Sequence, residues 1–542
     1  MKRLSDYYKR KSQTLNEDAQ TLPTVEKDKL IDGGPGVEVT EPVDPDEHIP
    51  GHIDTPEEKR AKEEAKKALE NKPYFFKNIL FFTNDRTNSN KTLENLREAL
   101  KESPNGEDIT LSVFVADEIS YKASDEKIDF KDGKNKYTID KQSNIDTIVI
   151  SRLGVQKSEE CMELIKELQE WGLFVINPIQ SARRASNKYT SAVLMERNEI
   201  PQPAFTLVSK NDIKDGITSL NAKLKAIYPN VGKNAEEDDK NEYVVKILDG
   251  HGGTGVFMTN GKTILGILQA IFAIDEEREL LVQKKEQADG DIRVHVLTMR
   301  TEQKILAAMK RVKIKGDFRS NVSLGATAEK VELTEEQKEI AKKCAKISGM
   351  PWCAVDIMPL EKDSNPELGD NVVLEFNSSP GTDGISEVID ENFMKILLDN
   401  INDVNQLVLS PKSIGYIENI HIKMNEYDEL VKEAKLDTGN GAKASTIGCD
   451  KLIIDQDDVV AIIDDRTYHF TKYGESNAIL GNEVEKRVTV VVPEIQIGTR
   501  KLLNVEFALV DNRKKEQKIL LNRDVLSKMG YMVNPAKKHT TE

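Results

Sequence analysis

At 542 residues, 38% apolar and 31% charged, the chain is long enough for about two to four domains, each burying its own core. Its formal net charge of −16 disfavours general nucleic-acid binding, because phosphate backbones repel such a surface, but leaves room for a local basic groove around a nucleotide. Cys161, Cys344, Cys353 and Cys449 form no C-x-x-C pair, and no H-E-x-x-H occurs, so neither a disulfide scaffold nor a cysteine or histidine zinc site is suggested.

The basic start "MKRLSDYYKRKSQ" leads into no apolar segment, and the window "GILQAIFAI" is too short and too closely flanked by charge to span a bilayer. A reducing cytoplasm, with no membrane, is the simplest compartment. Residues 1–72 are polar and predict an arm. Its first part buries too little to offset ordering entropy, and "PEEKRAKEEAKKALE" forms a solvated helix with Thr55 and Glu58 spaced as a capping pair. The arm is a charged spacer or a docking segment.

From 73 to 185 strands and helices alternate: "YFFKNILFFTN", "KTLENLREALKE", "DITLSVFVAD", "NIDTIVISRLG", "SEECMELIKELQEWG" and "LFVINP". That order predicts a small α/β domain on a mainly parallel sheet. Residues 186–410 form a second domain, in which the helix "NKYTSAVLMERNEI" precedes the strand "AFTLV" and the charged stretch 230–242 reads as a loop. The strands "ELLVQKK", "DIRVHVLT", "KILAAMKRVK", "WCAVDIMPL" and "NVVLEFN" follow, with the helix "TEEQKEIAKKCAKISG" among them. Residues 411–542 are β-rich.

Within the second domain, "YVVKILDGHGGTGVFMTN" places Gly250, Gly252, Gly253 and Gly255 between two β-prone runs, with Lys246 on the entering strand. The pattern G-x-G-x-x-G is present, but no helix opens directly after it, so a dinucleotide fingerprint fails; a Walker A loop fails for want of the following Lys and Ser/Thr. What remains is a glycine hairpin tip. It either serves turn geometry alone or folds over a polyphosphate, its backbone N–H groups free to approach the anion and Lys246 adding a point charge.

Two further clusters favour the phosphate reading. Asp356 lies mid-strand in "AVDIMPL", and Glu375 and Asn377 stand two apart on one face of "VVLEFNSSPG". If those strands are neighbours, three oxygen donors converge, a set suited to Mg²⁺ beside a nucleotide. Solvated acids on an edge strand are the alternative, opposed by the apolar neighbours Val372, Val373, Leu374 and Phe376. Following "MKRVK", the segment "GDFRSN" (316–321) reads as a loop that offers Lys310, Arg311, Arg319 and Asn321 to a phosphoryl group in transfer, with Arg293 in the same set.

Over about residues 145–400, through "SRLG", "INP", "VVKILDGHGGTGV", "LVQ", "GDIR", "GDFRSN", "VDI" and "EFNSSPG", the chain resembles the ATP-grasp enzymes, and among them the RimK-type amino-acid ligases. The resemblance implies ATP between two subdomains beneath the glycine hairpin, with Lys188 and Lys246 on phosphates and Lys284 and Lys285 at the adenine hinge. It also implies that Asp291, Arg319, Ser320 and Asn321 line the nucleotide site, and that Asp356, Glu375 and Asn377 hold Mg²⁺, or Mn²⁺ in its place. Arg293 and Arg319 become catalytic residues. The implied chemistry activates a carboxylate as an acylphosphate, which an amine attacks to form an amide. An amino acid, glutamate among the candidates, is thereby joined to a peptide or protein. The hinge "QKKEQ" departs from the usual Glu followed by an apolar or aromatic residue.

The tail carries Asp437 in "KLDTGNGAKAS", about 80 residues before "KILLNRDVL". It resembles the retropepsin-like domain associated with RimK-type ligases, sometimes labelled an ATP-dependent zinc protease, although no zinc ligand set is present. Relative to D-T-G-A-x-x-S it inserts two residues, and Asn522 replaces a glycine. With one D-T-G copy, an aspartic peptidase using Asp437 requires two chains related by a two-fold axis, hence at least a dimer. A turn only, an inactive binding domain and an active peptidase all remain open.

The expected architecture is thus α/β and α+β multidomain: an arm, a pre-ATP-grasp α/β domain, an ATP-grasp core and a C-terminal all-β retropepsin-like domain. The expected function is an ATP- and Mg²⁺-dependent ligase, forming a homo-oligomer and taking an amino acid and a peptide or protein but no nucleic acid. The alternative is a scaffold that uses both folds for binding without turnover.

Overall fold

A computed structural model describes residues 72–541, apart from 88–89, 125, 141–145, 154–157, 251–252, 314–326, 362–367, 410, 426, 481–482 and 512–517. The arm expected over 1–72, with Thr55 and Glu58, lies outside these residues except for Lys72, and so do Gly252, Arg319, Ser320 and Asn321.

Four parallel strands form the first sheet, in the order Thr110–Val115, Asn78–Thr83, Thr147–Arg152 and Phe174–Ile176. A parallel sheet covered on both faces needs strands that are apolar throughout, and "NILFFT" meets that need. Ile79 and Phe81 join one core with Leu93 and Leu96 of the helix Lys91–Glu102. Leu80 and Phe82 join another with Leu164 and Ile165 of the helix Glu159–Glu170. Both helices begin where the sequence supplies an acceptor: Asn90 caps Leu93 N and Ser158 caps Cys161 N.

Two antiparallel sheets follow. One orders Val256–Asn260, Glu242–Ile247, Leu280–Lys284 and Phe205–Val208. The other orders Thr327–Lys330, Gln303–Val312, Gly290–Thr298, Trp352–Pro359 and Asn371–Asn377. The helix Glu335–Ser348 packs on the second sheet through Ile340, Ala341, Cys344 and Ala345. Thr334 and Gln337 close a capping box at its start, and Gly349 ends it in the left-handed region. Asn177, 1% exposed, fastens the parallel sheet to the second antiparallel one: its Nδ2 donates to Trp352 O at 2.5 Å and Ser378 O at 2.7 Å, and Trp352 N donates back at 3.0 Å. The stretch 230–242, expected as a loop, holds a short helix at Ala235–Asp238 capped by Asn234.

In the tail a sheet closes on itself. Ile417–Lys423 pairs with Glu429–Leu436, and the ring continues through Ile519–Leu521, Ser445–Cys449, Arg500–Asp511 and Glu483–Ile497 before Glu483–Ile497 returns to Ile417–Lys423. Closure leaves these strands no open edge. Ile420, Ile447, Val490, Val492, Phe507 and Leu521 fill the barrel. Within Lys67–Glu542, which is one compact unit, the barrel is tied to the rest by specific bonds. Thr499 Oγ1 donates to Trp171 O at 2.7 Å, Lys501 pairs with Asp146 at 2.7 Å, and Asn405 exchanges two bonds with the backbone of Leu503. Among the described residues no helix is long and apolar enough to cross a membrane.

Candidate active site

The glycine segment is a hairpin tip, as its context requires. Glu242–Ile247 and Val256–Asn260 run antiparallel with Lys246 opposite Val256, and Ile247 N donates to Gly255 O at 2.9 Å. Gly253 and Gly255 have φ of 79° and 73°. A Cβ on Gly255 would come within 2.6 Å of Ile247 Cδ1, and one on Gly250 within 2.5 Å of Thr254 O, so neither position accepts a side chain. Lys188, first residue of the helix Lys188–Arg197, reaches back to this tip. Its Nζ donates to Gly250 O, its backbone N donates to Leu248 O at 3.0 Å, and its ammonium lies 3.9 Å from Glu375.

Lys246 keeps part of its surface open, yet its ammonium is closely surrounded by protein. That burial lowers its pKa to about 8; Glu375 pulls it up, Lys188 down and Asp356 up again. These interactions bring Lys246 within electrostatic range of both acids.

Asp356 and Glu375 face each other in register across Trp352–Pro359 and Asn371–Asn377, and Ala354 faces Asn377. On its other side Asp356 is opposite Arg293 of Gly290–Thr298. Arg293 grips it with two bonds, Nε to Oδ1 at 2.8 Å and Nη2 to Oδ2 at 2.7 Å. Arg311 adds a third, Nη2 to Oδ2 at 2.8 Å, while its Nε donates to Asp291 Oδ1 at 2.6 Å. Burial alone would raise the pKa of Asp356, which is 2% exposed; the two guanidinium groups outweigh it and hold the acid at about 2.

This arrangement corrects the reading of the arginines. Lys310 and Arg311 stand on the strand Gln303–Val312, opposite Ile292 and Asp291, and not in a loop. The physical reason is pairing: that strand has neighbours on both sides, so its backbone continues in the ladder up to Val312. Arg311 and Asp291, 4% and 3% exposed, are locked together inside the sheet.

The side chains fit a hard divalent cation. Asp356 accepts three arginine bonds and a long one of 3.4 Å from Asn377 Nδ2, so most of its lone pairs are already engaged. Glu375, a third exposed, has its carboxylate turned toward lysines and is the freer donor. Among the described residues no group of three or more His, Cys, Asp or Glu is placed to hold a metal ion, so these residues offer no complete cage. Two carboxylates and an amide are what Mg²⁺ uses when phosphates and water supply the rest.

At the hinge, Lys284 pairs with Glu286 at 3.3 Å and Lys285 with Glu242 at 3.8 Å. Their backbone N–H groups donate to Ala204 O at 2.8 Å and Glu242 O at 3.1 Å. Lys188, Lys246, Gly250, Arg293, Asp356, Glu375 and Asn377 thus come together, and Lys284 ends the strand beside the hairpin, with Lys285 directly after it. Asp437 stands apart in the barrel, where its N–H donates to Leu521 O at 3.0 Å and its Oδ1 accepts from Gly439 N at 3.0 Å. Asn177 and the inward role of Arg311 escaped the sequence reading; a lone charge or amide within an apolar run was the available signal.

Residues 185–401 match the RimK-like ATP-grasp domain. A probable alpha-L-glutamate ligase of Saccharophagus degradans is 30% identical over 256 residues, covering 47% of this chain and 75% of that protein. One from Vibrio atlanticus is 33% identical over 242 residues, covering 44% and 70%. Among solved structures, D-alanyl-alanine synthetase A from Vibrio cholerae aligns with 60% of this chain and 99% of its own at a TM-score of 0.43 and 15% identity. The extent of these matches decides the family: the chain belongs to the RimK-like ATP-grasp ligases, which use ATP and Mg²⁺ to form C–N bonds.

Proposed function

We propose that the enzyme joins glutamate to a peptide or protein, and that residues 186–410 carry this reaction on the face shared by Lys188, Lys246, Asp356 and Glu375. The observation supporting this reading is that Lys188, bonded to the glycine tip, lies against Glu375, which faces Asp356 in register. The names of the relatives support glutamate as the amino acid.

Lys246 and Lys188 hold the phosphates of ATP, and the glycine tip supplies backbone N–H groups above them. Glu375, Asn377 and the free edge of Asp356 hold Mg²⁺, which offsets negative charge on the transferring phosphoryl group when bound. Arg293 spends Nε and Nη2 on Asp356 and keeps Nη1 for the same group. A substrate carboxylate oxygen attacks the γ-phosphorus as the bond to ADP breaks. The amine then attacks the acylphosphate carbon, phosphate leaves, and the amine proton passes to solvent or a carboxylate. The hairpin keeps water from the acylphosphate. With both hinge N–H groups already bonded, adenine is read through the other hinge groups. ADP release with glutamate and candidate peptide acceptors tests the proposal, and a Glu375→Ala protein with undiminished turnover would overturn the metal assignment.

For residues 411–542 we infer a retropepsin-like module. Supporting it, Asp437 follows directly on Glu429–Leu436, and Ile519–Leu521 lies between that strand and Ser445–Cys449, parallel to one and antiparallel to the other. Peptidase chemistry needs a second carboxylate about 3 Å away, from a second copy of the chain. A peptide-binding module without cleavage is the second reading, favoured by Asn522, whose side chain fills the space beside the D-T-G loop.

A further inference from the structure

The ladder between Trp352–Pro359 and Asn371–Asn377 ends with Ala354 opposite Asn377. Two residues before Ala354, Trp352 is joined instead to a side chain of the parallel domain. Asn177 Nδ2 donates to Trp352 O at 2.5 Å, and Trp352 N donates to Asn177 Oδ1 at 3.0 Å. The same Nδ2 donates at 2.7 Å to the carbonyl of Ser378, the residue directly after Asn377. A primary amide carries two N–H donors on one nitrogen and an acceptor oxygen, so this one side chain replaces a rung that the two strands no longer make. Asn177 is 1% exposed and Trp352 fully buried, so water does not compete for these bonds.

Arg152, at the carboxyl end of the strand Thr147–Arg152, makes a second tie. Its Nη2 donates to Pro380 O at 2.6 Å, and its guanidinium lies over the Trp352 ring, 5.1 Å from the centroid. A third tie joins side chains: the hydroxyls of Thr92, on the helix Lys91–Glu102, and of Thr382 are 3.0 Å apart. The α/β domain thus holds the stretch 378–382 at three points, immediately after the two oxygen donors Glu375 and Asn377.

Asn377 depends on such support. It is the last residue of its strand, and its amide reaches Asp356 Oδ2 only at 3.4 Å. Asp356, by contrast, is fixed by Arg293 and Arg311 through bonds of 2.7 and 2.8 Å. Toward Glu375 the backbone of Asn377 is held by the ladder; on its other side it is held by Asn177 and Arg152.

We propose that Asn177 and Arg152 are positioning residues for the metal: by fastening Ser378 O and Pro380 O beside Trp352, they set the reach of Asn377 toward the cation shared with Asp356 and Glu375. Groups that orient a ligand without touching the ion alter metal affinity by about 10–100-fold when removed. The inference rests on the metal reading above.

Calorimetric titration of the full chain with a non-hydrolysable ATP analogue, once with Mg²⁺ and once with a chelator in its place, tests it. The ratio of the two affinities is the gain due to the metal. The wild type is expected to gain about tenfold or more, and Asn177→Ala to lose at least roughly fivefold of that gain, with a metal-free affinity within about twofold of wild type. Arg152→Met is expected to lose roughly threefold, and carries the test if the alanine variant does not fold. A purely structural role would lower the thermal unfolding midpoint and leave the gain untouched. Either variant, folded and with the wild-type gain, would overturn the proposal. Glu375→Ala separates the two readings. If it abolishes the gain while Asn177→Ala and Arg152→Met keep it, the metal assignment stands and the positioning role falls; if all three keep it, or the wild type shows none, both fall.

Discussion

Asp356 and Glu375 stand opposite each other in register, yet Asp356 is gripped by Arg293 and Arg311 while Glu375 faces Lys188 at 3.9 Å. Two acids of the same cluster therefore carry different burdens. Asp356→Asn leaves two arginines without their shared counter-charge and should lower stability by about 3–5 kcal/mol, read by denaturant unfolding. Glu375→Gln should change stability by less than about 1 kcal/mol while reducing ADP release on the order of 100-fold or more. Equal destabilisation by both changes would contradict this division.

Lys246 gives a pH signature. Its pKa is lowered to about 8 from 10.5, so between those values the unfolded chain binds the extra proton, and stability from this group rises with pH across that window. Nucleotide affinity should fall over the same window, because the ammonium that meets the phosphates is lost. Subtracting the pH profile of Lys246→Met from that of wild type isolates both effects. Profiles that superimpose between pH 8 and 10 would refute the assignment.

Asn522, 1% exposed, accepts from Val525 N at 3.0 Å at the start of the helix Arg523–Lys528 and donates to Ala442 O at 2.7 Å. It also exchanges bonds with Ser445. Asn522→Ala removes the cap and strands buried partners, so thermal unfolding of the barrel should show a loss of about 1–3 kcal/mol. Ligase turnover should be unchanged, since these contacts lie within the barrel.

For Asp437 the expected outcome separates the two readings of the barrel. A peptidase predicts self-association and loss of cleavage in Asp437→Asn, measured with peptides carrying the ligase product. A binding module predicts peptide affinity in both proteins and cleavage in neither.

By itself the sequence determined the glycine hairpin, the acid strand and the parallel sheet. Gly253 and Gly255 take φ values that favour glycine, and "NILFFT" and "VVLEF" are short apolar runs whose strand character is local. Tertiary structure decided which charges belong to chemistry and which to architecture. Arg311 looked like a loop cation beside "GDFRSN", but the antiparallel register turns it inward onto Asp291 and Asp356. The closure of the barrel through His421 and Gln496 likewise depends on residues far apart in the chain. Local pattern specifies an element and its faces; the partner across a sheet is set by register and topology, which span hundreds of residues and leave no periodic trace.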